Sequence, residues 1–328
     1  MFLLQAKTRM SETEATGERW RPIAYVATLI AVAAVVVWYA VGHRAANSAD
    51  AAAADESVMP LSCAVESQGK LPTLPEASGL ALSRRDPNVL WSLNDSGAAS
   101  VVALSPSGEL LSRVRIAGAN VNDWEDVSVA PCGNESCLYI ADTGNGGGTQ
   151  RNDVVVYRVR EPLPGDRETA PADVFDVAYP DGEDHESDAV FVLKGQLFLI
   201  TKGHPAVLFA FPRNLTSGTI QTLERIGEIP TAGFPPGTIP RRYRVTDAEA
   251  SPNGQWVAIR TNDALLIYRS ADLLAARTHT LWRTDLRFLS EPRGEGVAIS
   301  DDGDVYLASE RVSEGAASFT HLKCAWGE

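Results

Sequence analysis

One short pattern recurs five times along this chain and constrains the fold more than any other feature. In each copy a polar residue begins an apolar strand, a tight turn follows, and a second apolar strand comes after it. A single four-stranded blade cannot bury both of its faces, so units of this kind stack into a closed ring. The sequence therefore predicts an all-β fold, a five-bladed β-propeller. The copies begin at residues 78–82, 125–129, 188–192, 246–250 and 295–299.

The number of blades depends on how the ring closes. The last copy supplies only three strands, and a segment that could complete it, residues 61–65, lies before the first copy. Pairing this segment with the last strand would close the ring and bring Cys63 beside Cys324. A six-bladed propeller is the alternative, because the long interval between Glu125 and Asp188 has room for another blade.

The four cysteines fit an oxidising compartment. Cys132 and Cys137 flank a tight turn in the second copy, while the other two lie at the ends of the predicted ring. An even number of cysteines in an exported domain indicates disulfide bonds. The alternative is four buried free thiols.

An uncharged segment precedes the propeller. Residues 22–42 are almost wholly apolar and about long enough to cross a hydrocarbon core as a helix. Four basic residues precede this segment and only Arg44 closely follows it, which places the N-terminus in the cytoplasm. A cleaved signal peptide is the alternative, although its apolar region is usually shorter. We expect a cytoplasmic tail over 1–21, a transmembrane signal-anchor over 22–42, a flexible stalk over 43–58 and an extracytoplasmic propeller over 59–328.

The charge of the chain excludes one class of partner. A formal net charge of −13 at pH 7 argues against nucleic-acid binding, which requires a basic surface. The glycine run at 144–148 lacks the Gly-Lys-Ser/Thr of a phosphate-binding loop, and no two histidines have the spacing of zinc ligands. An acidic surface instead suits cation binding.

Aligning the innermost strands places five oxygen-bearing side chains at one end of the central channel. Like charges that converge in a narrow channel raise one another's pKa unless protons or a cation neutralise them. Carboxylate and hydroxyl ligands without Cys or His suit Ca²⁺ better than zinc. We predict a calcium site here, and the alternative is that these acids hydrogen-bond backbone groups or line a solvated channel. The predicted ligands are Ser78, Glu125, Asp188, Thr246 and Glu295.

This set of five resembles the Ser, Glu, Glu, Ser, Glu set that ligates the central calcium ion in the five-bladed calcium-activated nucleotidase (apyrase) family. The resemblance covers the blade plan and these five positions, and it does not extend to the family's loop motifs. It implies a central calcium ion. The family also includes membrane-anchored members with the topology expected for this chain.

The loops that follow the second strands lie at the same end of the channel and are chemically rich. Basic side chains around a divalent ion, with Asp95 or Asp142 as general base for water, would suit attack on an anionic ester such as a phosphate or a lactone. The plainer interpretation is that these residues are turn formers and solvated charges. The candidate catalytic residues are Asp95, Asp142, Arg151 and Lys202, and Arg260 and Asn262 occupy the matching place in the fourth copy.

Two functions from different classes follow. The first is a membrane-anchored, extracytoplasmic, calcium-binding propeller that hydrolyses phosphate or other anionic esters. The second is a non-enzymatic binding module that recognises a protein, a glycan or an envelope component, with calcium only holding the blades together. Propellers serve both roles, so the fold does not choose between them.

Overall fold

The computed structural model describes residues 59–145, 153–203, 205–229, 243–275 and 282–326. Within these ranges the chain forms five sheets whose principal strands are antiparallel, and each sheet is one blade of a propeller. The predicted cytoplasmic tail, signal-anchor and stalk lie outside the described residues. Among the residues that are described, no helix combines the length and apolar character needed to cross a bilayer.

The strands follow one another blade by blade. Two strands precede the first blade: β1 (Met59–Pro60) and β2 (Ser62–Lys70). Blade 1 contains β3 (Ala77–Leu82), β4 (Leu90–Asn94), β5 (Ser100–Leu104) and β6 (Leu110–Arg115). Blade 2 contains β7 (Trp124–Cys132), β8 (Glu135–Asp142), β9 (Asp153–Arg160) and β10 (Asp173–Ala178).

Blade 3 contains β11 (Ala189–Leu193), β12 (Gln196–Ile200), β13 (Ala206–Ala210) and β15 (Glu224–Ile229), and the short β14 (Gln221–Thr222) adds to blade 2. Blade 4 contains β16 (Val245–Ala250), β17 (Trp256–Thr261), β18 (Ala264–Arg269) and β19 (Trp282–Asp285). A short helix α1 (Ser270–Leu274) follows β18, and a 3-10 turn (Arg287–Leu289) follows β19. Blade 5 contains β20 (Gly294–Ile299), β21 (Asp304–Ser309) and β22 (Ser318–Ala325).

The ring closes as the sequence predicts. Strand β2 pairs antiparallel with β22 and completes blade 5, with Cys63 directly opposite Cys324. These two cysteines form a disulfide bond, and Cys132 and Cys137 form another across the turn between β7 and β8. The free-thiol alternative is therefore wrong. Strand β1, which the sequence did not predict, pairs in parallel with β19, so the N-terminal segment contacts two neighbouring blades.

The hydrophobic core is divided among the blade interfaces. Alternating side chains of each strand point to the two faces of a blade, and each face packs on the neighbouring blade. Five buried apolar clusters result, one between each pair of adjacent blades, including the pair formed by blades 5 and 1. Five blades and five interfaces close the circle. The five-bladed prediction is confirmed, and the six-bladed alternative is wrong.

Candidate functional site

Breaks in strand pairing position the predicted calcium ligands at one end of the channel. In four of the five blades the innermost strand changes register against its neighbour close to the predicted ligand: between Ala77 and Leu80, Trp124 and Asp126, Val245 and Asp247, and Gly294 and Val297. Bulges of this kind release residues from the ladder and redirect their side chains. The same irregularity therefore recurs around the channel at the height of the five predicted ligands.

Directly below these residues, two buried aspartates join the blades at the channel axis. Asp126 accepts hydrogen bonds from the backbone N–H groups of Val127 (2.6 Å) and Val190 (2.7 Å). Asp247 accepts them from Leu80 (3.2 Å) and Val297 (2.5 Å). These four amides belong to the innermost strands of blades 1, 2, 3 and 5, whose inner edges have no further strand to pair with.

Glycine makes room for this arrangement. A Cβ atom at Gly79 would overlap Oδ1 of Asp126, and one at Gly296 would lie 2.6 Å from the carbonyl oxygen of Ser78.

Burial raises the pKa of Asp126, and the neighbouring Asp247 raises it further. Burial likewise raises the pKa of Asp247.

Above the axial aspartates lies a cavity of about 260 Å³, which we call the channel mouth. Of its described lining residues, seven carry carboxyl groups and two are basic. The excess of carboxyl groups gives this part of the cavity a negative charge when these groups are ionised. The lining consists of Glu76, Ala77, Ser78, Asp95, Asp123, Glu125, Asn145, Glu186, Lys202, Arg293, Glu295 and Glu310.

The two basic side chains are held by the acids around them. Lys202 forms ion pairs with Asp188 and with Glu186, the latter at 3.2 Å. Arg293 forms ion pairs with Glu295 (2.5 Å) and with Glu310. Burial alone would lower the pKa of Lys202, but the surrounding carboxylates more than offset this effect and raise it. Both residues therefore stay charged, and each neutralises part of the carboxylate ring.

Several carboxyl groups of the mouth have raised pKa values. Burial raises the pKa of Glu295 to about 8, although Arg293 opposes the change. Burial raises the pKa of Asp188 to about 6 against the opposing charge of Lys202, and it also raises that of Glu125, with a further contribution from Asp188. Burial and the charges of Glu76 and Glu310 raise the pKa of Asp95 to about 7. In the absence of a bound cation the mouth therefore holds protons at neutral pH.

The structure places the five predicted calcium ligands around one channel but commits several of their atoms to other contacts. The hydroxyl of Ser78 donates a hydrogen bond to the Glu125 carbonyl (2.5 Å), and that of Thr246 to the Glu295 carbonyl (3.0 Å). Across the described ranges, no group of three or more His, Cys, Asp or Glu side chains is arranged to hold a metal ion. One observation does fit a cation. Oδ1 of Asp188, a residue only 1 % exposed, has no hydrogen-bond partner.

The four candidate catalytic residues have different positions. Asp95 and Lys202 line the channel mouth. Asp142 is 2 % exposed and accepts hydrogen bonds from the backbone N–H groups of Asn122 and Asp123, both at 3.1 Å, so it positions the loop that carries Asp123. Arg151 lies outside the described residues.

Asp123 and Arg293 are important lining residues that were not among the candidates from the sequence. Each lies two positions before a predicted calcium ligand, as Glu76 and Glu186 do. Residues two apart in an extended segment point to the same side. Extending the alignment of the five copies by two residues towards the N-terminus would have found all four.

Neither a protein-family model nor a curated protein sequence matches the chain. Solved structures do match it. The PQQ-bound aldose sugar dehydrogenase of Streptomyces coelicolor has 10% identity and a TM-score of 0.48, with 81% of this chain and 98% of that chain covered. The gluconolactonase XC5397 of Xanthomonas campestris has 12% identity and a TM-score of 0.45, with 79% and 89% covered. The apo form of the soluble aldose sugar dehydrogenase of Escherichia coli has 12% identity and a TM-score of 0.42, with 81% and 99% covered.

The predicted resemblance to the calcium-activated nucleotidase family is wrong. Similar solved structures include sugar dehydrogenases and a lactonase rather than a nucleotidase. The contacts within the channel also differ from five open ligands around an ion. Ser78 and Thr246 bond to carbonyl groups of the next blade, while Asp188 and Glu295 pair with Lys202 and Arg293. A match of residue types at five aligned positions does not determine which atoms those side chains contact.

Proposed function

We propose that the channel mouth binds a divalent cation, calcium being the first candidate, and that it is the active site of a hydrolase acting on neutral esters, lactones included. The observation that supports this proposal is the ratio of seven carboxyl groups to two basic groups on the described wall of one cavity. Such an excess is costly unless protons or a cation neutralise it. Glu125, Asp188 and Glu295 are not arranged around a metal ion in the structure, so their side chains would have to turn towards a bound cation, for which Oδ1 of Asp188 offers an unused lone pair.

Asp95 is the residue best suited to general-base catalysis. It lies on the cavity wall, and its pKa of about 7 lets it both accept and return a proton near neutral pH. In the proposed reaction Asp95 takes a proton from water while the water oxygen bonds to the ester carbonyl carbon. The ester C–O bond then breaks, and Asp95 returns the proton to the departing alkoxide. A bound cation would polarise the carbonyl group.

The charge of the mouth decides which ester is favoured. The carboxylates that surround the cavity repel a phosphate dianion, whereas a neutral ester enters without this repulsion. We therefore propose neutral esters as substrates, and not the phosphate esters suggested by the sequence. We also propose a membrane-anchored, extracytoplasmic location for the propeller. This part of the proposal rests on the sequence of residues 1–58, which lie outside the described ranges.

The test compares turnover of a lactone, an aryl acetate and a phosphate monoester by chelated protein, before and after calcium is added. We expect calcium-dependent turnover of the neutral esters and none of the phosphate. Asp95→Asn should lower kcat by about 100-fold or more, the usual contribution of a general base, and exposed Glu66→Gln should not. The rate should rise with pH as Asp95 ionises, and the charge of bound calcium should shift this rise below pH 7. Absence of calcium-dependent turnover would rule the hydrolase out.

A second candidate is a non-enzymatic module in which the cation only binds the blades together. The inter-blade hydrogen bonds of Ser78 and Thr246 favour it, because these hydroxyl groups already act as structural links. This alternative predicts that calcium raises the thermal midpoint of unfolding while every ester remains intact. The same titration and turnover measurements distinguish the two functions.

A further inference from the structure

The opposite end of the propeller carries a second cavity, of about 370 Å³, with the reverse charge. It is formed by the turn after β3, the turn between β7 and β8, and the end of β9, so it lies between blades 1 and 2. Its described lining contains three arginines and one acidic residue, in a chain whose net charge is −13. The lining residues are Arg84, Arg85, Pro131, Asn134, Glu135, Ser136 and Arg160.

Arg84 is the deepest of the three arginines. Its side chain is only 14% exposed and extends across the base of the channel, donating hydrogen bonds to the carbonyl groups of Val129 and Ala250, both at 3.1 Å. It also lies 3.5 Å from a carboxylate oxygen of Glu249. These contacts use Nε and Nη2. The remaining nitrogen, Nη1, is buried and has no hydrogen-bond partner.

Ser136 provides the second unused group on the cavity wall. This residue is 7% exposed, and its buried hydroxyl has no hydrogen-bond partner. A buried donor without a partner is costly and is uncommon in native proteins. Two such donors on one cavity, both able to donate to an oxyanion, indicate that a ligand supplies the missing acceptors.

The other two arginines are partly engaged. Arg85 donates through Nη1 to the Glu161 carbonyl (2.7 Å), and Arg160 pairs with Glu135 (2.8 Å) at the exposed rim. Arg85 keeps further donors, because a guanidinium group has five N–H bonds. The planar fork of arginine matches the oxygen atoms of phosphate, and several such forks around one cavity favour a dianion over a single carboxylate.

We propose that this cavity is a binding site for a phosphate group carried on a small polar molecule, with Arg84, Arg85 and Ser136 as its principal donors. The volume exceeds that of a bare phosphate ion, so the rest of the ligand also lies in the cavity. The site is separate from the channel mouth and does not depend on the function proposed there. Ser136 lies at the start of β8, inside the loop closed by the disulfide between Cys132 and Cys137, which holds the donor in place.

The experiment measures phosphate binding to the full chain by calorimetry at constant ionic strength, with inorganic phosphate and glycerol phosphate as probes and chloride as the reference salt. We expect saturable binding of both phosphates. Ser136→Ala and Arg85→Gln should each weaken it by about tenfold or more, as loss of a charge-assisted hydrogen bond does. Arg213→Gln, an exposed arginine outside the cavity, should leave it unchanged.

A further arm distinguishes soluble ligands from lipid headgroups. Vesicles that contain phosphatidic acid, compared with phosphatidylcholine alone, report whether the same donors bind a headgroup, and the Ser136→Ala variant shows whether that binding uses this cavity. Ser136→Ala and Arg85→Gln are preferred to Arg84→Met because Arg84 also holds three blades together. Absence of phosphate binding, or binding that both cavity variants retain in full, would overturn the proposal.

Discussion

The buried carboxyl groups of the channel predict that acid stabilises this protein when no divalent cation is bound. Burial raises the pKa of Glu249 to about 7 and that of Glu295 to about 8, from ordinary values of 4.5. Between about pH 5 and pH 7 both groups hold a proton in the folded chain that they lose in the unfolded chain. Their contribution is fully present below the unfolded pKa and disappears as the pH rises through the folded values.

The expected size follows from proton linkage. Each proton that only the folded state holds changes the free energy of unfolding by about 1.4 kcal/mol per pH unit. These two groups alone give a fall of roughly 2–3 kcal/mol per pH unit, or roughly 5 kcal/mol from pH 5 to pH 7, and other carboxyl groups with raised pKa values, such as Asp95, add to it. The carboxylates whose pKa is lowered, such as Asp304 beside His321 and Lys323, act in the opposite direction but titrate below this window.

The assay is urea unfolding in the presence of a chelator at a series of pH values, followed by the fluorescence of buried tryptophans such as Trp91 and Trp124. Glu249→Gln should reduce the slope by about 1.4 kcal/mol per pH unit, because it removes one titrating group. Exposed Glu66→Gln should leave the slope unchanged. A free energy of unfolding that stays constant or rises between pH 5 and pH 7 would refute the reasoning.

Three further predictions concern stability and are measured by urea unfolding. Lys202→Met should cost about 3–5 kcal/mol because it leaves the buried Asp188 unpaired, and adding Asp188→Asn should restore most of the loss; a fully stable single variant would contradict the pairing. Gly79→Ala should cost about 1–3 kcal/mol through overlap with Asp126, whereas Gly69→Ala, which meets nothing within 4 Å, should be neutral. Replacing Cys63 and Cys324 by serine should cost about 5 kcal/mol, because their disulfide closes a loop of 261 residues. Replacing Cys132 and Cys137 by serine should cost about 2 kcal/mol, because that loop spans only 5 residues. A larger loss from the second replacement would contradict the chain-entropy argument.

Much of the fold follows from local pattern. Apolar segments between Gly, Pro, Asn and Asp turns define most strands, as they do for β5 (Ser100–Leu104), β11 (Ala189–Leu193) and β18 (Ala264–Arg269). The fifth copy lacks one strand, and this absence together with the position of Cys63 was sufficient to predict that β2 pairs with β22 and closes the ring. Strands β1 and β14 are only two residues long and have no alternation from which they could be predicted.

The site was less predictable because neighbouring blades decide what each charge contacts. Arg260 belongs to a polar cluster that resembled the others in sequence, yet it is fully buried and donates to the carbonyl groups of Gly296 (2.5 Å) and Ala308 (2.9 Å) in the next blade. Its ion pair with Glu291 completes a structural link. Asp126 lies next to the predicted ligand Glu125 in the sequence, yet its carboxylate accepts backbone hydrogen bonds at the channel axis. Sequence placed these residues near the channel but did not determine their partners.

Calcium binding to the chelated protein, measured by calorimetry, tests the central claim most directly. The Glu125→Gln, Glu295→Gln double variant removes two of the proposed ligands, and Glu66→Gln is the matched control. We predict saturable calcium binding in the parent and the control, and no binding in the double variant. The double variant keeps the ion pair between Arg293 and Glu310, and its thermal unfolding, measured alongside, shows whether lost binding reflects misfolding. Absence of calcium binding in the parent, or equal binding in the double variant, would contradict a cation site at the channel mouth.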